Sequence, residues 1–404
     1  MSWPVAKIGQ FTNVVTKGTT PTKKQGFSDS GINYIKAEAL NGDSTLDLSG
    51  GFCISEDVHQ SLKRSMLEGG DVLLTIAGAN IGKCGIVEER HLPANTNQAV
   101  GIMRVNQQQV IPRFLYYWFK QPQTFRYIQG LNAQAAQPNI NLSMLRNIEV
   151  PLPSISEQKQ IASILSAYDD LIENNRRRIQ LLEQATRLLY KEWFVQLRFP
   201  GHEHTQIIDG VPEGWGKKTA FEVMEVLSGG TPKTTNRSFW DGDIPFFTPK
   251  DATNFTYSHD TEKSVTETGL KNCNSNLYPK DTVLITARGT VGKINLAQRP
   301  MAMNQSCYAL VAHPPLNQQF LYLALVDGVE QFRSRAVGAV FDAIVRNTFK
   351  LIPFVLPDEK LIKAFMEYVS PMFAQIDNLS GQVRSLRKAR DLLLPKLMNG
   401  EVAV

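Results

Sequence analysis

Two long segments with a seven-residue apolar repeat constrain the fold of this 404-residue chain more than any other feature. Each segment carries two seams of mostly apolar residues, offset by three and four positions, as the a and d positions of a coiled coil require. The pattern therefore predicts two long helices that bury these seams against each other. The predicted seam residues are Leu165, Tyr168, Ile172, Asn175, Ile179, Leu182 and Leu189 in the first segment, and Val369, Met372, Ile376, Leu379, Val383, Leu386 and Leu393 in the second.

The two helical segments look like copies of one unit. Leu152 and Leu356, each followed by a proline, are 204 residues apart, and the same offset relates Ile172 to Ile376. A shared heptad register alone would not also align the two Leu-Pro pairs without a gap. The sequence therefore indicates an internal duplication.

Three positions refine the prediction for the helices. Ser156 is a suitable N-cap for the first helix. Pro371 removes a backbone donor from the second helix, so we expect a kink or a restart there, with Ser370 as the new cap. Asn175 occupies a d position, where it costs stability and either fixes the register, meets a polar group of a partner, or lies at a water-exposed crossing.

The rest of the chain predicts two globular segments of mixed α and β pattern. They cover residues 1–150 and 215–355; the first helix occupies residues 151–199, a polar linker 200–214 and the second helix 356–404. The predicted fold class is α+β, with two similar mixed α/β domains joined by two long helices. Three anchors align the globular segments: residues 71–83 with 281–293 at an offset of 210, Thr19-Thr20-Pro21 with Gly230-Thr231-Pro232, and Asn97-Gln98 with Asn304-Gln305.

Composition bears on the compartment and on the class of site. No apolar run reaches the roughly 18 residues that cross a membrane, and the N-terminus lacks the apolar core of a signal peptide. We therefore expect a cytoplasmic protein without a membrane partner. The four cysteines are scattered, which argues against a zinc site or a disulfide framework.

No motif for catalysis or for a metal stands out. Residues 78–84 resemble a nucleotide loop, but only three residues separate the glycines and Cys84 stands where Ser or Thr is needed. A tight turn that ends a strand is the favoured interpretation, and a contact of Lys83 and Lys293 with a DNA backbone is the alternative. His202 and His204 have no third ligand nearby. We therefore predict a non-catalytic chain without a metal site.

Basic residues on turns recur in both globular segments, among Phe, Tyr and Trp residues. The net charge of +5 permits nucleic-acid binding without establishing it. Lysine and arginine on turns can neutralise phosphates, and a solvated surface is the alternative for any single residue. The candidate DNA-binding residues are Lys17, Lys23, Lys24, Lys36, Lys83 and Arg126 in the first segment, and Lys233, Arg237, Lys250, Arg288, Lys293, Arg333 and Arg335 in the second.

Two globular segments, each followed by a long helix that begins with Leu-Pro, resemble the specificity subunit of Type I restriction–modification systems. The first helix, from Pro151-Leu152-Pro153 through Glu157-Gln158 to Trp193-Phe194, is similar to the conserved central region of that family. Gly229-Gly230-Thr231-Pro232 is similar to the opening of its target recognition domains. The first segment departs from that motif, because it has Thr19 in place of the second glycine.

The resemblance implies a division of labour. Residues 1–150 and 215–355 would be target recognition domains, each reading one half of a bipartite, asymmetric sequence of double-stranded DNA. The helices would form an antiparallel coiled coil that fixes their spacing and docks two modification subunits. Those subunits would bring S-adenosylmethionine, and restriction subunits, where present, would use ATP and Mg²⁺, so this chain would bind no cofactor. A stand-alone endonuclease or methyltransferase and a coiled-coil adaptor without a DNA role are the alternatives.

Overall fold

The computed structural model describes residues 3–40, 46–48, 50–131, 139–335 and 344–404, with the side chains of residues 330–335 left out. The chain divides into two units. The first unit holds Met1–Asn174 and Arg384–Val404, and the second holds Asn175–Val383. Both long helices therefore contribute residues to each unit. The predicted boundaries instead treat each helix as a separate segment.

The first unit is built on a four-stranded antiparallel sheet around a buried strand. All four residues of Val72–Thr75 are buried, as expected of a short apolar run that is covered on both faces. The four strands in spatial order are Thr12–Lys17, Val100–Val105, Val72–Thr75 and Cys84–Ile86; a three-stranded sheet holds Phe52–Ile54, Ile32–Ile35 and Ala94–Thr96, and Val5–Lys7 pairs with Glu149–Pro151. The helices of this part are Ile8–Phe11, Glu56–Ser61, Pro112–Lys120, Pro122–Gly130 and Leu142–Asn147.

The second unit repeats this plan, which confirms the predicted pair of similar mixed domains. Its main sheet has the same four strands in the same order and gains Tyr257–Ser258 at one edge. The five strands are Met224–Ser228, Cys307–Ala312, Val283–Thr286, Ile294–Ala297 and Tyr257–Ser258; the three-stranded sheet holds Lys263–Val265, Trp240–Phe247 and Ala302–Met303, and Gly216–Thr219 pairs with Pro353–Leu356. Its remaining elements include the hairpin Ile207–Ile208 with Val211–Pro212 and the helices Glu267–Lys271 and Gln318–Arg335.

Backbone pairing corrects the predicted alignment of the buried strands. The amide of Thr75 donates to the carbonyl of Lys83 at 2.8 Å, and that of Thr286 donates to the carbonyl of Lys293 at 3.0 Å. The strands therefore match at an offset of 211, while the residues after the turn match at 210. The single offset of 210 was wrong for the strands, because the turn at residues 289–293 is one residue shorter than the turn at residues 78–83.

Both long helices form, and they run antiparallel. We call Ile155–Tyr190, which ends in a π-helical turn at Lys191–Val195, the central helix, and Glu359–Met398 the C-terminal helix. In the first unit, Leu165 near the start of the central helix packs with Leu394 near the end of the C-terminal helix. In the second unit, Trp193 at the end of the central helix contacts Phe365 near the start of the C-terminal helix.

Burial of the predicted seam residues falls into two groups. The residues with less than a tenth of their surface exposed are Leu165, Ile172, Asn175, Ile179, Val369, Ile376 and Leu379. The half-buried ones are Tyr168, Leu182, Leu189, Met372, Val383, Leu386 and Leu393. Phe373 and Leu394 are more buried than their neighbours Met372 and Leu393. A straight helix drifts by about 20° per heptad, so a neighbouring residue takes over the seam along its length.

The helix ends and the prolines differ from the prediction. The cap of the central helix is Ser154, whose hydroxyl accepts the Glu157 amide at 3.3 Å, while the Glu157 carboxylate accepts the Ser154 amide at 3.0 Å. This reciprocal capping box starts the helix before Ser156, which is therefore not the cap. The predicted restart at Pro371 is also wrong. The C-terminal helix continues through Pro371, which is exposed. Val369 and Phe373 on either side are fully buried, and such apolar burial can offset the backbone hydrogen bond that proline removes.

Asn175 faces a polar side chain of the other helix. Its amide nitrogen donates to the Gln382 amide oxygen at 3.1 Å, and Asn175 is only 5% exposed. A water-exposed crossing is therefore the wrong alternative. Gln382 is exposed, so the hydrogen bond lies at the edge of the seam. It favours one register, since a shift along the helix would leave the buried Asn175 amide without this partner.

A buried ion pair joins the two helices in the first unit. Arg390 occupies the seam position between Val383 and Leu397, and its guanidinium lies 2.5 Å from the Asp169 carboxylate. The Tyr117 hydroxyl donates to the same carboxylate at 2.8 Å, and the Lys120 ammonium lies 4.0 Å from it. Burial lowers the pKa of Lys120, with Asp169 opposing that shift.

We expect Arg390→Ala to lower the free energy of unfolding of the first unit by about 3 kcal/mol. Removing one member of a buried pair leaves the other charge without its partner, and Lys120 and Tyr117 compensate only in part. Urea unfolding measures the change. Lys388→Ala, on an exposed position of the same helix, is the control and should stay close to wild type. Equal effects of both substitutions would contradict the role of the pair.

A buried carboxyl connects the central helix to the sheet of the second unit. Glu183 is 7% exposed, and its carboxylate accepts the amide of Thr256 at 2.6 Å. Burial raises the pKa of Glu183, although hydrogen bonds from Thr256 and the charge of Arg187 act in the opposite direction. The folded state therefore holds the Glu183 proton more tightly than the unfolded chain does.

We expect Glu183→Gln to raise the thermal midpoint at pH 7 to 8 and to match wild type near pH 4. A raised folded-state pKa gives stability that is complete below the unfolded pKa of about 4.3 and is lost as pH rises through the folded pKa. Glutamine keeps an oxygen for the Thr256 amide and does not ionise. Glu367→Gln, at an exposed position of the same unit, should leave the pH profile unchanged. A Glu183→Gln protein with the wild-type pH profile would refute this assignment.

Candidate nucleic-acid interface

The Gly-Thr-Thr-Pro and Asn-Gln anchors of the first unit meet at one place, which we call the first corner (residues 18–21, 97 and 98). A Cβ at Gly18 would lie 2.2 Å from the carbonyl oxygen of Asn97, so only glycine fits. The amide of Thr19 donates to the Thr96 carbonyl at 2.9 Å, and the Thr20 hydroxyl donates to the Gln98 amide oxygen. Two segments about 80 residues apart in sequence are thereby fixed together.

The second unit has an equivalent second corner (residues 229–232, 304 and 305). A Cβ at Gly229 would lie 2.3 Å from the carbonyl oxygen of Asn304. The amide of Gly230 donates to the Met303 carbonyl at 3.1 Å, and the Thr231 hydroxyl donates to the Gln305 amide oxygen. The two anchors that the sequence aligned separately are therefore joined in both units by the same Thr–Gln hydrogen bond.

Basic residues gather at the first corner. Lys17 ends the strand that leads into it, and Lys23 and Lys24 lie on the exposed turn that follows Pro21. Arg64, which was not among the predicted residues, donates from Nη2 to the Thr19 hydroxyl at 3.2 Å. It was missed because its partner is 45 residues away and no local spacing connects the two.

A group of aromatic residues with Lys36 adjoins this corner. The Lys36 ammonium lies 3.1 Å from the centre of the Phe52 ring and 4.6 Å from that of Phe27. Both phenylalanines are more than 40% exposed, and neither was predicted as a site residue. The Tyr34 hydroxyl donates to the Thr19 carbonyl at 2.8 Å while its ring packs on Phe27. The corner and this group therefore form one surface that offers both positive charge and rings for stacking.

The second corner has a similar neighbourhood. Lys233 follows Pro232 and is exposed, and its carbonyl accepts the indole N–H of Trp240 at 3.3 Å. The Lys263 ammonium lies 5.6 Å from the centre of the Trp240 ring. Arg237 is exposed in the short 3₁₀ turn Arg237–Phe239. Lys263 was not among the predicted residues, since it stands alone on an edge strand.

The remaining candidates lie around the two glycine turns rather than at the corners. In the second unit, Arg288 and Lys293 flank the turn at residues 289–292, and the Thr290 hydroxyl donates to the Pro249 carbonyl at 3.2 Å, next to Lys250. Lys250 already pairs with Glu262 at 3.5 Å. The loops are tight turns, with Gly78, Gly82, Gly289 and Gly292 at positive φ.

The glycine turn of the first unit ends at Lys83, which is half-buried. A Cβ at Gly82 would lie 3.1 Å from the Phe125 ring, so the turn packs on the helix that carries Arg126. Arg126 itself is exposed, and its Nε donates to the Pro122 carbonyl at 3.3 Å. Arg333 and Arg335 lie in the helix Gln318–Arg335, and their side chains are outside the described part of the chain.

Metal-binding clusters and membrane-spanning helices are both absent from the part of the chain that the structure describes. No group of three or more His, Cys, Asp or Glu side chains there is placed to hold a metal ion. None of the helices described has both the length and the apolar character needed to span a membrane.

A family model described as Type I restriction modification DNA specificity domain matches residues 2–184 and matches again over residues 212–382. The chain is 26% identical over 413 residues to the Type I restriction enzyme MjaIX specificity subunit of Methanocaldococcus jannaschii, covering 100% of this chain and 94% of that protein. It is 23% identical over 365 residues to the HindI specificity subunit of Haemophilus influenzae, covering 74% of this chain and 80% of that protein.

A solved structure has a similar fold. The crystal structure of a Type-I restriction-modification system S subunit from M. genitalium superposes with a TM-score of 0.62 at 18% identity. The match covers 98% of this chain and 96% of that one. The two similar domains and the two long helices therefore belong to an architecture found in a protein of that system.

Proposed function

The chain belongs to the Type I restriction modification DNA specificity family, and on that premise we propose that each of its units reads one half of a bipartite, asymmetric DNA sequence. One observation carries this proposal. The same glycine-framed corner occurs once in each unit, with basic and aromatic side chains beside it in both. Lysine and arginine neutralise phosphates, and a rigid loop frame presents side chains to base edges.

We assign residues 1–150 and 215–355 as the target recognition domains and residues 200–214 as the linker between the central helix and the second domain. The helices, within residues 151–199 and 356–404, set the spacing of the two half-sites. The central helix has 36 residues and is therefore about 54 Å long at 1.5 Å per residue. This exceeds one turn of duplex, about 34 Å, so the helix is long enough to bridge separate half-sites.

This chain supplies the sequence recognition, and its partner subunits carry out catalysis. Modification subunits bring S-adenosylmethionine and methylate adenine, and restriction subunits, where present, use ATP and Mg²⁺. The corners offer hydroxyl, amide and basic groups that can bind DNA. No step in this proposal requires a reacting group from the chain itself.

Exchanging residues 1–150 for those of another family member should change one half of the methylated sequence and leave the other half intact. Each domain holds its own corner, so the second half-site should be read as before. Sequencing of methylated adenines in cells that carry the chain and its modification partner measures the motif. A change in both halves would refute the assignment of one domain to one half.

The purified chain alone, incubated with DNA and labelled S-adenosylmethionine, serves as the control. It should transfer no label, whereas a stand-alone methyltransferase would. Binding of the assembled complex to DNA should weaken steeply with salt. A complex that assembles but shows no such binding would favour the adaptor without a DNA role.

We further propose that two modification subunits dock on equivalent apolar positions of the helices. In the first unit, Ile164 on the central helix and Leu392 on the C-terminal helix are 37% and 62% exposed. In the second unit, Leu188 on the central helix and Tyr368 on the C-terminal helix are 61% and 60% exposed. The offset of 204 relates Ile164 to Tyr368 and Leu188 to Leu392. Each unit therefore offers the same pair of exposed apolar positions, as two copies of one partner require.

Leu188→Asp and Leu392→Asp should each leave a complex with one modification subunit, and the double variant should bind none. A charge placed in an apolar contact must be desolvated without a partner, which opposes docking. Native mass spectrometry of the co-expressed complex gives the stoichiometry. Gln184→Asp, an exposed polar position of the central helix, should keep both subunits. Two bound subunits in the double variant would disprove this docking surface.

A further inference from the structure

Arg64 and Asn274 occupy equivalent positions in the two units. Each follows a short helix that begins at a hydroxyl N-cap, Glu56–Ser61 after Ser55 and Glu267–Lys271 after Thr266. Each directly precedes a buried serine, since Ser65 is 0% and Ser275 is 5% exposed. The second helix is one residue shorter, which accounts for the offset of 210 between the two positions.

Both residues also contact the same position of their corner. In the first unit this position is Thr19, whose hydroxyl accepts Nη2 of Arg64 at 3.2 Å. In the second unit it is Gly230, where a Cβ would lie 2.6 Å from the backbone nitrogen of Asn274 and 3.0 Å from its Cβ. The departure from Gly-Gly-Thr-Pro thus has a physical reason. Thr19 holds a long side chain, whereas Gly230 leaves room for the backbone of Asn274.

The two corners share the same backbone frame, but the side chains of Arg64 and Asn274 beside them differ. The Thr–Gln hydrogen bond and the crowded glycine recur in both corners, so they suit a task common to both domains, such as holding the loops or a phosphate. Two domains that read different half-sites must differ where a base edge is read. The pair at this shared place is an arginine in one unit and an asparagine in the other.

The chemistry of the two side chains fits base reading. Arginine donates two hydrogen bonds to O6 and N7 of guanine, and asparagine pairs with N6 and N7 of adenine. Both residues are exposed. Arg64 forms no ion pair within the described residues, and its bond to Thr19 orients the guanidinium while leaving other N–H donors available.

We propose that Arg64 and Asn274 are equivalent specificity-determining residues, Arg64 reading a guanine in the first half-site and Asn274 an adenine in the second. This inference rests on the proposed function. Lys63, beside Arg64 and also exposed, serves as the charge-only neighbour for comparison.

The test is the methylated motif of the chain co-expressed with its modification partner, mapped for wild type, Arg64→Lys, Arg64→Gln, Asn274→Ala and Lys63→Ala. Arg64→Lys keeps the charge but loses the planar pair of donors. It should reduce discrimination at one guanine by roughly 5- to 150-fold and leave the second half-site unchanged. Asn274→Ala should relax one adenine in the other half only. Arg64→Gln repeats the first test with the charge removed.

Lys63→Ala should weaken DNA binding similarly at all sequences, lower the salt slope by about 1 and leave the motif intact. An unchanged motif in both Arg64 variants and in Asn274→Ala, with complexes that assemble, would overturn the inference and leave the proposed function standing. A wild-type chain that directs no bipartite motif would instead overturn the proposed function. Weaker binding in Arg64→Gln but not in Arg64→Lys, without a change of motif in either, would make Arg64 a phosphate contact and also refute base reading.

Discussion

Burial of apolar side chains between two antiparallel helices is the interaction on which each unit depends. In each unit, the early part of one long helix and the late part of the other together form the surface on which the sheet domain packs. The first unit combines Leu165 and Leu394 in one core, and the second combines Ile179 and Ile376. Because the helices are copies at an offset of 204, an antiparallel pairing gives each unit the same two helical pieces.

The side chains that join the long helices to each other and to a shorter helix of the domain differ between the units. The first unit uses the buried Asp169–Arg390 pair with Tyr117, whereas the second packs Phe194, Phe320 and Phe365 with ring centres 4.9 to 5.8 Å apart. Burying charges costs desolvation that aromatic packing does not. The two helices keep one offset of 204 along their seams, whereas the contacts that join them to each domain differ in kind.

The heptad repeat of both long helices could be predicted from the sequence, because residues buried along a seam recur at a fixed spacing. The cap could also be predicted, since Ser154 and Glu157 have the spacing of a capping box, but the predicted cap, Ser156, lies two residues too late. The offset between the buried strands could not be predicted, because the strands carry leucines that match at an offset of 210 and also at an offset of 211.

Arg390 was not predicted as a buried residue, because a charged residue at a seam position gives no apolar signal. Only the Asp169 carboxylate explains its burial. Arg64, Lys263 and Asn274 depend on contacts between distant segments, which no local pattern encodes.

The corners explain how recognition can diverge while the fold is kept. Gly18 and Gly229 cannot accept a side chain, because a Cβ would overlap a backbone carbonyl oxygen at 2.2 to 2.3 Å. Arg64 and Asn274 are exposed, and exposed positions usually tolerate substitution at little cost in stability. The rigid frame therefore fixes where a side chain is presented, and the side chain can change without disturbing the frame. Such a separation lets one scaffold occur twice in a chain and still read two different sequences.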